Sequence, residues 1–329
     1  MRELFLYTGI YMSSKSNNQG RAYEFITLLI LENEISKLRP AIIEKSNSYI
    51  AAEKAWNTLT EEDKNKYIIS ARAAVKRIFD LEPRIIEDGD DEVELLIQTD
   101  QKGEEGDVRD ILIIRRKISW EIGLSLKHNH FAVKHSRLSK NIDFGKIWYE
   151  IPCSVDYWND VLPVFEYLSD EKSKGTKFNE LSNKERDVYV PILKAFINEI
   201  NKQYKEHKDI PSKLVEYLLG KFDFYKVISV DSKKLTNIQG FNLHGTLNQD
   251  GVTKLKPTIG IPLVSLPTRI VKFDFVPGST NKVELYMDEG WQFTFRIHKA
   301  ATKVEPSLKF DIQIVGMPTA IISINCVWE

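Results

Sequence analysis

Asp107-Val108-Arg109-Asp110-Ile111-Leu112-Ile113-Ile114-Arg115-Arg116-Lys117-Ile118-Ser119-Trp120-Glu121-Ile122-Gly123-Leu124-Ser125-Leu126-Lys127 is the stretch on which the reading of this chain turns. Two β-prone runs flank a short basic segment, which predicts a hairpin with a tight turn at Lys117-Ile118. In that register Asp110 lies directly opposite Ser125, and Lys127 follows two residues along on the face of Ser125. The four apolar residues after Asp110 describe a buried central strand that holds the carboxylate rigidly at the sheet edge.

A carboxylate and an ammonium on one face are what metal-assisted phosphodiester hydrolysis requires. The acid holds Mg²⁺ against the scissile phosphate, and the cation favours hydroxide and offsets the charge growing at phosphorus. Asp110 and Lys127 suit those roles, with Mg²⁺ as the expected cofactor. After Lys127 come His128, Asn129, His130, Lys134, His135, Arg137 and Lys140 with no acid among them, a stretch expected to attract phosphate. Taken singly, such an Asp is most often a turn residue and such a Lys a solvated strand cap. Their shared face is what favours a nuclease.

A chain of 329 residues is long enough for two lobes or one large α/β unit with insertions. Its formal net charge of -1 leaves general electrostatic attraction unable to explain binding to nucleic acid, so any DNA contact uses locally concentrated Lys and Arg. Cys153 and Cys326 are too few and too far apart for a disulfide framework or a four-ligand zinc site, which points to a reducing cytoplasm. Met1 to Gly9 is too short an apolar run for a signal peptide and no later stretch reaches membrane-spanning length, so no membrane partner is expected.

Helical spacing covers Gly20 to Leu38 after a polar Ser13 to Gln19 segment, then Ile42 to Thr58 and Glu61 to Leu81. Thr60 with Asp63 three positions on is a capping-box variant, and Pro83 ends that helix. The acidic Glu87 to Glu92 run separates these helices from β-like runs at Val93 to Thr99, Asp110 to Arg116 and Ser119 to Lys127. Helical patterns return at Ser154 to Leu168, Ser182 to His207 with a break at Pro191, and Ser212 to Phe222. Short β runs then follow at Tyr225 to Val230, Thr268 to Phe275, Lys282 to Met287, Trp291 to His298, Leu308 to Val315 and Ala320 to Trp328. Lys233 to Lys256 reads as a long polar loop, and a lobe boundary falls near 222.

The hairpin resembles the PD-(D/E)xK nuclease core of many type II restriction endonucleases, which implies an α/β fold: a mixed sheet flanked by helices, here with a β-rich C-terminal lobe. One position departs, since Ser125 stands where an acid is expected two residues before the lysine, so the second metal-binding carboxylate comes from elsewhere. Glu24 on the first helix is the preferred donor. Glu121 shares the strand face but lies about 13 Å along it from Ser125, so it joins only if Gly123 forms a bulge. Asp107 is third, out of phase with Asp110 unless Gly106 bends the chain. More narrowly, Asn18 to Glu24, Trp120 to Ser139 and Phe295 to Pro318 resemble the HaeIII-type restriction endonucleases. That resemblance implies recognition of GGCC in duplex DNA, cleavage between its central G and C, and a cognate DNA methyltransferase as genetic rather than physical partner.

Residues 1–222 are accordingly expected to form the nuclease core and 223–329 a DNA-recognition lobe. In the second, Gln292, Thr294, Arg296 and His298 alternate with Phe293, Phe295 and Ile297, giving one polar and one apolar strand face. Arg and Gln carry the donors that read guanine and adenine edges, with Lys299, Lys303 and Lys309 as phosphate contacts, although a wet sheet surface is the commoner outcome for such a face. Lys134, His135 and Arg137 fit either a solvated helix face or a DNA-facing segment, and three of the six histidines fall between 128 and 135. The expected products carry 5′-phosphate and 3′-hydroxyl ends, and two-fold symmetric DNA favours a homodimer with one site per strand. A structure-specific repair nuclease and a non-catalytic DNA-binding protein are the rival classes. His-Asn-His at 128–130 does not have the spread of a true HNH motif, and Ser136 with His135 lacks a nucleophile elbow.

Overall fold

The computed structural model describes residues 4–99, 102, 106–129 and 132–329. The chain packs as two compact units: Met1–His130, Phe222–Val264 and Thr319–Glu329 form one, and Phe131–Lys221 with Ser265–Pro318 the other. Phe222 is one of the points where the chain passes between units, and 131–221 packs with 265–318 rather than with the N-terminal residues. Long-range strand pairing is the reason, because β5 (Ala132–Ser139) hydrogen-bonds to β11 (Ser307–Gly316).

The first unit holds a seven-stranded mixed sheet. Its strands are β1 (Ala41–Ile43), β2 (Val93–Ile97), β3 (Ile111–Arg115), β4 (Trp120–His128), β6 (Phe224–Val230), β7 (Leu235–Phe241) and β12 (Ser323–Val327), in that spatial order. The pairs β1/β2 and β4/β6 are parallel. Helices α1 (Leu4–Ile35), α2 (Asn47–Asn57) and α3 (Glu61–Leu81) share one core with Ile122, Leu124 and Leu126 of β4 and Tyr225 and Val227 of β6. In α3 the Thr60 hydroxyl accepts from the Asp63 amide, and Tyr67, Ala71, Ala74, Val75, Ile78 and Leu81 recur at helical spacing on the buried side. Among the described residues no helix is long and apolar enough to cross a membrane, and both cysteines are free and buried.

Several elements differ from expectation. The α1 helix runs straight through Ser13 to Gln19, and a Cβ at Gly20 would meet nothing within 4 Å. Once tertiary contacts fix the later turns, each further residue faces only the small cost of propagation. Ile42 lies within β1 instead of opening a helix, since pairing with β2 supplies hydrogen bonds that a helix start there would leave unmade. Residues 235–241 form β7 inside the expected loop, and β5 is a strand where a helix face was weighed. Pro191 occupies the first turn of the helix Val190–Glu206, where a missing N–H costs nothing.

The acidic run before β2 is more than a separator. Buried Arg115 donates to Glu87 Oε1 at 2.5 Å and to both oxygens of Asp91 at 2.9 and 2.8 Å. Arg39, also buried, donates to the carbonyls of Glu87 at 2.8 Å and Asp91 at 2.6 Å. These bonds tie the α3–β2 connection to β1 and β3, and removing one partner of such a buried set costs about 3–5 kcal/mol.

Buried Glu82, just past α3, accepts from the Tyr225 hydroxyl and the Asn248 amide, both at 2.6 Å, while Oε2 has no partner. Burial pushes its carboxyl up from 4.5 to about 7 against the pull of those donors. A folded value above the unfolded one means that this contribution is complete below 4.5 and lost as pH rises through about 7. Glu82→Gln is expected to flatten the stability profile across that window and to raise stability at pH 8 by about 3 kcal/mol, read by denaturant melts at the two extremes.

Candidate active site

Strands β3 and β4 pair with Ile111 opposite Leu124 through to Arg115 opposite Trp120, with no bulge. The turn is longer than expected, a helical turn at Arg116–Ile118 followed by Ser119 in the left-handed region at φ 50°. Its centre is unchanged, so the register is that read from the sequence. The Asp110 amide donates to Leu124 O at 2.8 Å, extending the ladder to Ser125. Asp110 Oδ2 accepts from the Leu126 amide at 2.6 Å, Lys127 Nζ at 3.1 Å and the Ser125 hydroxyl at 3.4 Å. The backbone bond fixes the carboxylate, and the Lys127 and Asp110 side chains remain 29% and 24% exposed, open to a ligand.

The other acids are placed differently. Gly106 does bend the chain, at φ 97°, but Asp107 then closes on Arg109, accepting its Nε and Nη2 at 2.8 Å each, and on Gln98 Nε2 at 2.9 Å. Arg109 also donates Nη1 to Glu121 at 2.8 Å and stacks on the Phe222 ring 4.1 Å away. Its aliphatic stem crosses Gly123, where a Cβ would lie 2.0 Å from Arg109 Cδ. Asp107 and Glu121 are thus spent on a buried guanidinium, and the bulge that Glu121 needed is absent. The guanidinium bonds hold the Asp107 carboxyl below its usual value although burial pushes it up. Half-buried Glu24 rides on α1, whose core lies on the Leu124 and Leu126 side of β4, opposite Ser125 and Lys127. Among the described residues no group of three or more His, Cys, Asp or Glu is arranged to hold a metal.

Alternation also turns His128 away from Lys127. Its Nδ1 lies 3.1 Å from the Tyr67 hydroxyl and its Nε2 2.8 Å from Asp231, so both ring nitrogens are engaged on the α3 side. Asn129, at φ 52°, receives the Asp231 amide at 3.0 Å and closes the end of β4. Both residues, expected as phosphate or base contacts, are thus engaged within the protein. His130 lies outside the described residues.

The second unit carries a five-stranded antiparallel sheet in the order β5, β11, β10 (Gln292–Lys299), β9 (Lys282–Met287) and β8 (Ile270–Phe275). On β10, Phe293, Phe295 and Ile297 are fully buried, whereas Gln292 and His298 are half-buried and Arg296 is exposed. Thr294 is buried, its hydroxyl without a partner. Register gathers Arg137, Lys309 and His298 into one cross-strand row on this polar face, next to a row with His135, Asp311 and Arg296. Of His135 only the backbone position is described. Arg296 donates to Asp311 at 3.1 Å. Lys134 and Ser136 fall on the opposite face, where Lys134 donates to Tyr217 O at 3.0 Å and Ser136 bonds the Tyr217 hydroxyl at 2.9 Å, both on the helix Ile210–Leu219. Burial pulls the Lys134 ammonium down to about 8, so it belongs to the packing and not to the polar row. Lys299 reaches Asn179 at 3.2 Å, and Lys140 and Lys303 are exposed.

Sheet and site define a mixed α/β protein whose carboxylate–lysine pair suits attack on a phosphodiester. Residues 20–318 match the family of the HaeIII restriction endonuclease. The type II restriction enzyme HaeIII of Haemophilus aegyptius is 56% identical over 319 residues, 97% of this chain and 100% of that protein. No solved structure matches. The chain belongs to the HaeIII restriction endonuclease family and is a type II restriction enzyme, a site-specific deoxyribonuclease.

The crossing of Arg109 over Gly123 gives a direct test. Gly123→Ala is expected to displace the guanidinium, free Asp107 and Glu121, and cost about 1–3 kcal/mol in denaturant melts. A variant as stable as the parent would show that Arg109 has room to move aside.

Proposed function

We propose that Asp110 and Lys127 form the cleavage centre of a PD-(D/E)xK-type core that cuts both strands of duplex DNA at GGCC, leaving 5′-phosphate and 3′-hydroxyl ends. The 3.1 Å contact between the two side chains on neighbouring strands carries this reading. Asp110 fits Mg²⁺, because its described hydrogen bonds fall on Oδ2 and leave Oδ1 as a hard oxygen donor, and Mg²⁺ commonly takes one or two carboxylates together with substrate phosphate and water. Bound there, the ion supplies a Lewis acid and a coordinated water of lowered pKa. The Leu126 amide holds the carboxylate in place, and Lys127 favours hydroxide near the phosphorus and offsets the charge developing on it. Glu24, on the first helix, stays the first candidate for a helper carboxylate. The match to HaeIII of Haemophilus aegyptius supports the restriction activity, and palindromic DNA favours a homodimer.

DNA contacts are assigned to the polar face of the five-stranded sheet. Arg137 and Lys309 sit directly opposite each other, an arrangement that costs stability in the free protein and that phosphate relieves. Arg296, held by Asp311, and Gln292 present donors for base edges. Lys140, Lys299 and Lys303 are further phosphate candidates at the margins.

Plasmid DNA with Mg²⁺ is expected to yield discrete fragments, and Lys127→Ala to lower cutting by on the order of 10³-fold while a gel shift still shows binding. A smear, branch-specific products or an undiminished variant would reject the assignment. Arg137→Ala and Lys309→Ala are each expected to reduce the slope of log affinity against log salt by about one. Unchanged slopes would remove that face from the phosphate contacts.

A further inference from the structure

Lys127 lies on a strand end that is laddered along one edge. β3 pairs with β4 as far as Ile111 opposite Leu124, and the Asp110 amide adds one bond to Leu124 O. Beyond that point Leu126, Lys127 and His128 pair with Val227, Ile228 and Ser229 of β6, while on the β3 side the described bond runs from the Leu126 amide to the Asp110 carboxylate itself. A strand end held by few ladder bonds opens readily, and opening here would carry the Lys127 ammonium away from Asp110. The residue that follows is tied to two further elements. His128 Nδ1 meets the Tyr67 hydroxyl of α3 at 3.1 Å, with the two rings edge to face at 4.6 Å. Its Nε2 meets Asp231 Oδ2 at 2.8 Å, in the helical turn Asp231–Lys233 that joins β6 to β7. Asp231 is fixed in turn, since its Oδ1 accepts from the Ser229 hydroxyl at 3.2 Å and its amide donates to Asn129 Oδ1 at 3.0 Å. The Asn129 amide closes the set on Ser229 O at 2.9 Å, and buried Tyr67 packs against Tyr23 of α1.

We infer that His128, held between Tyr67 and Asp231, is a positioning residue for Lys127, locking the end of β4 from the opposite face so that the Lys127 ammonium stays beside Asp110 and the scissile phosphate. The inference rests on the reading of Asp110 and Lys127 as the cleavage centre. An apolar side chain would fill the place of the imidazole at lower desolvation cost, but only a polar ring fixes the strand end in direction as well as in depth. A hydrogen-bonded set of this kind rigidifies the backbone that carries it. His128 touches neither substrate nor Asp110 and acts only through the residue before it.

The test reads single turnovers of the full chain with Mg²⁺ on a duplex carrying its mapped cut site. His128→Phe keeps a ring against Tyr67 and removes both ring nitrogens. It is expected to cut at least about 10-fold more slowly at saturating duplex, with half-saturation changed by less than about 2-fold. A role in folding alone would lower cutting by the same factor whether or not Lys127 is present. Positioning instead requires that His128→Phe add less than about 2-fold to the loss already caused by Lys127→Ala, a non-additive double-mutant cycle. Cutting at the parent rate, or equal losses in the two backgrounds, overturns the role. Should His128→Phe fail to fold, Asp231→Ala, at a half-buried turn position, goes through the same cycle. At least about a 5-fold loss is expected beside Lys127 and less than about 2-fold beside Lys127→Ala, with the same outcomes overturning the role. Lys127→Ala cutting like the parent sinks the reading of the centre. Slow cutting by Lys127→Ala, with losses that multiply, rejects the positioning role alone.

Discussion

The antiparallel pairing of β3 with β4 decides which side chains meet. Side chains alternate across a strand, so a slip of one residue would send Ser125 and Lys127 into the helical core and bring Leu124 and Leu126 out. That exchange would strand an ammonium among apolar side chains, a cost far above that of any single contact on the polar face. Burial of Ile111, Ile113, Ile122, Leu124 and Leu126 against α1 and α3 therefore holds Asp110 and Lys127 in place from the other side of the sheet. The site is rigid because its back is apolar.

The same alternation sorts the charged groups into separate tasks. Arg109 gathers Asp107 and Glu121 and lies over Gly123, so one guanidinium holds two carboxylates beside the candidate site. Arg39 and Arg115 do the same for Asp91 and Glu87 at the far end of β3. His128 goes to Tyr67 and Asp231 on the helical side. In the second unit Lys134 turns to Tyr217, while Arg137, three residues along on the other face, stays exposed. Adjacent residues in a strand thus serve structure and surface alternately.

Much of this was legible in the chain. The hairpin register followed from centring the turn on Lys117-Ile118, and α3 from Thr60, Asp63 and a regular apolar stripe. Strand β10 was marked by strict alternation. What escaped had no periodic signal. Leu235 to Phe241 looked like a loop because Thr236, Asn237 and Gln239 are polar, yet Asn237 donates to Ser323 and Asn325 on the neighbouring strand, and Thr236 bonds Ser70 of α3. Lys226 was passed over as one cation in an apolar run, although a lysine in the middle of a buried strand is itself an anomaly.

By itself the sequence determined the local facts: where apolar period two or 3.6 makes strands and helices, and which residues a hairpin sets face to face. These depend on neighbours within a few positions, so the order of residues is enough. Only the tertiary structure decided that β6 lies parallel against β4 and brings Lys226 to Ser125, that Asp107 and Glu121 are claimed by Arg109, and that β5 leaves the first sheet to pair with β11. Those pairings join residues far apart along the chain. They are fixed by how buried area and hydrogen bonds are shared across the whole unit, a competition with no trace in any one stretch.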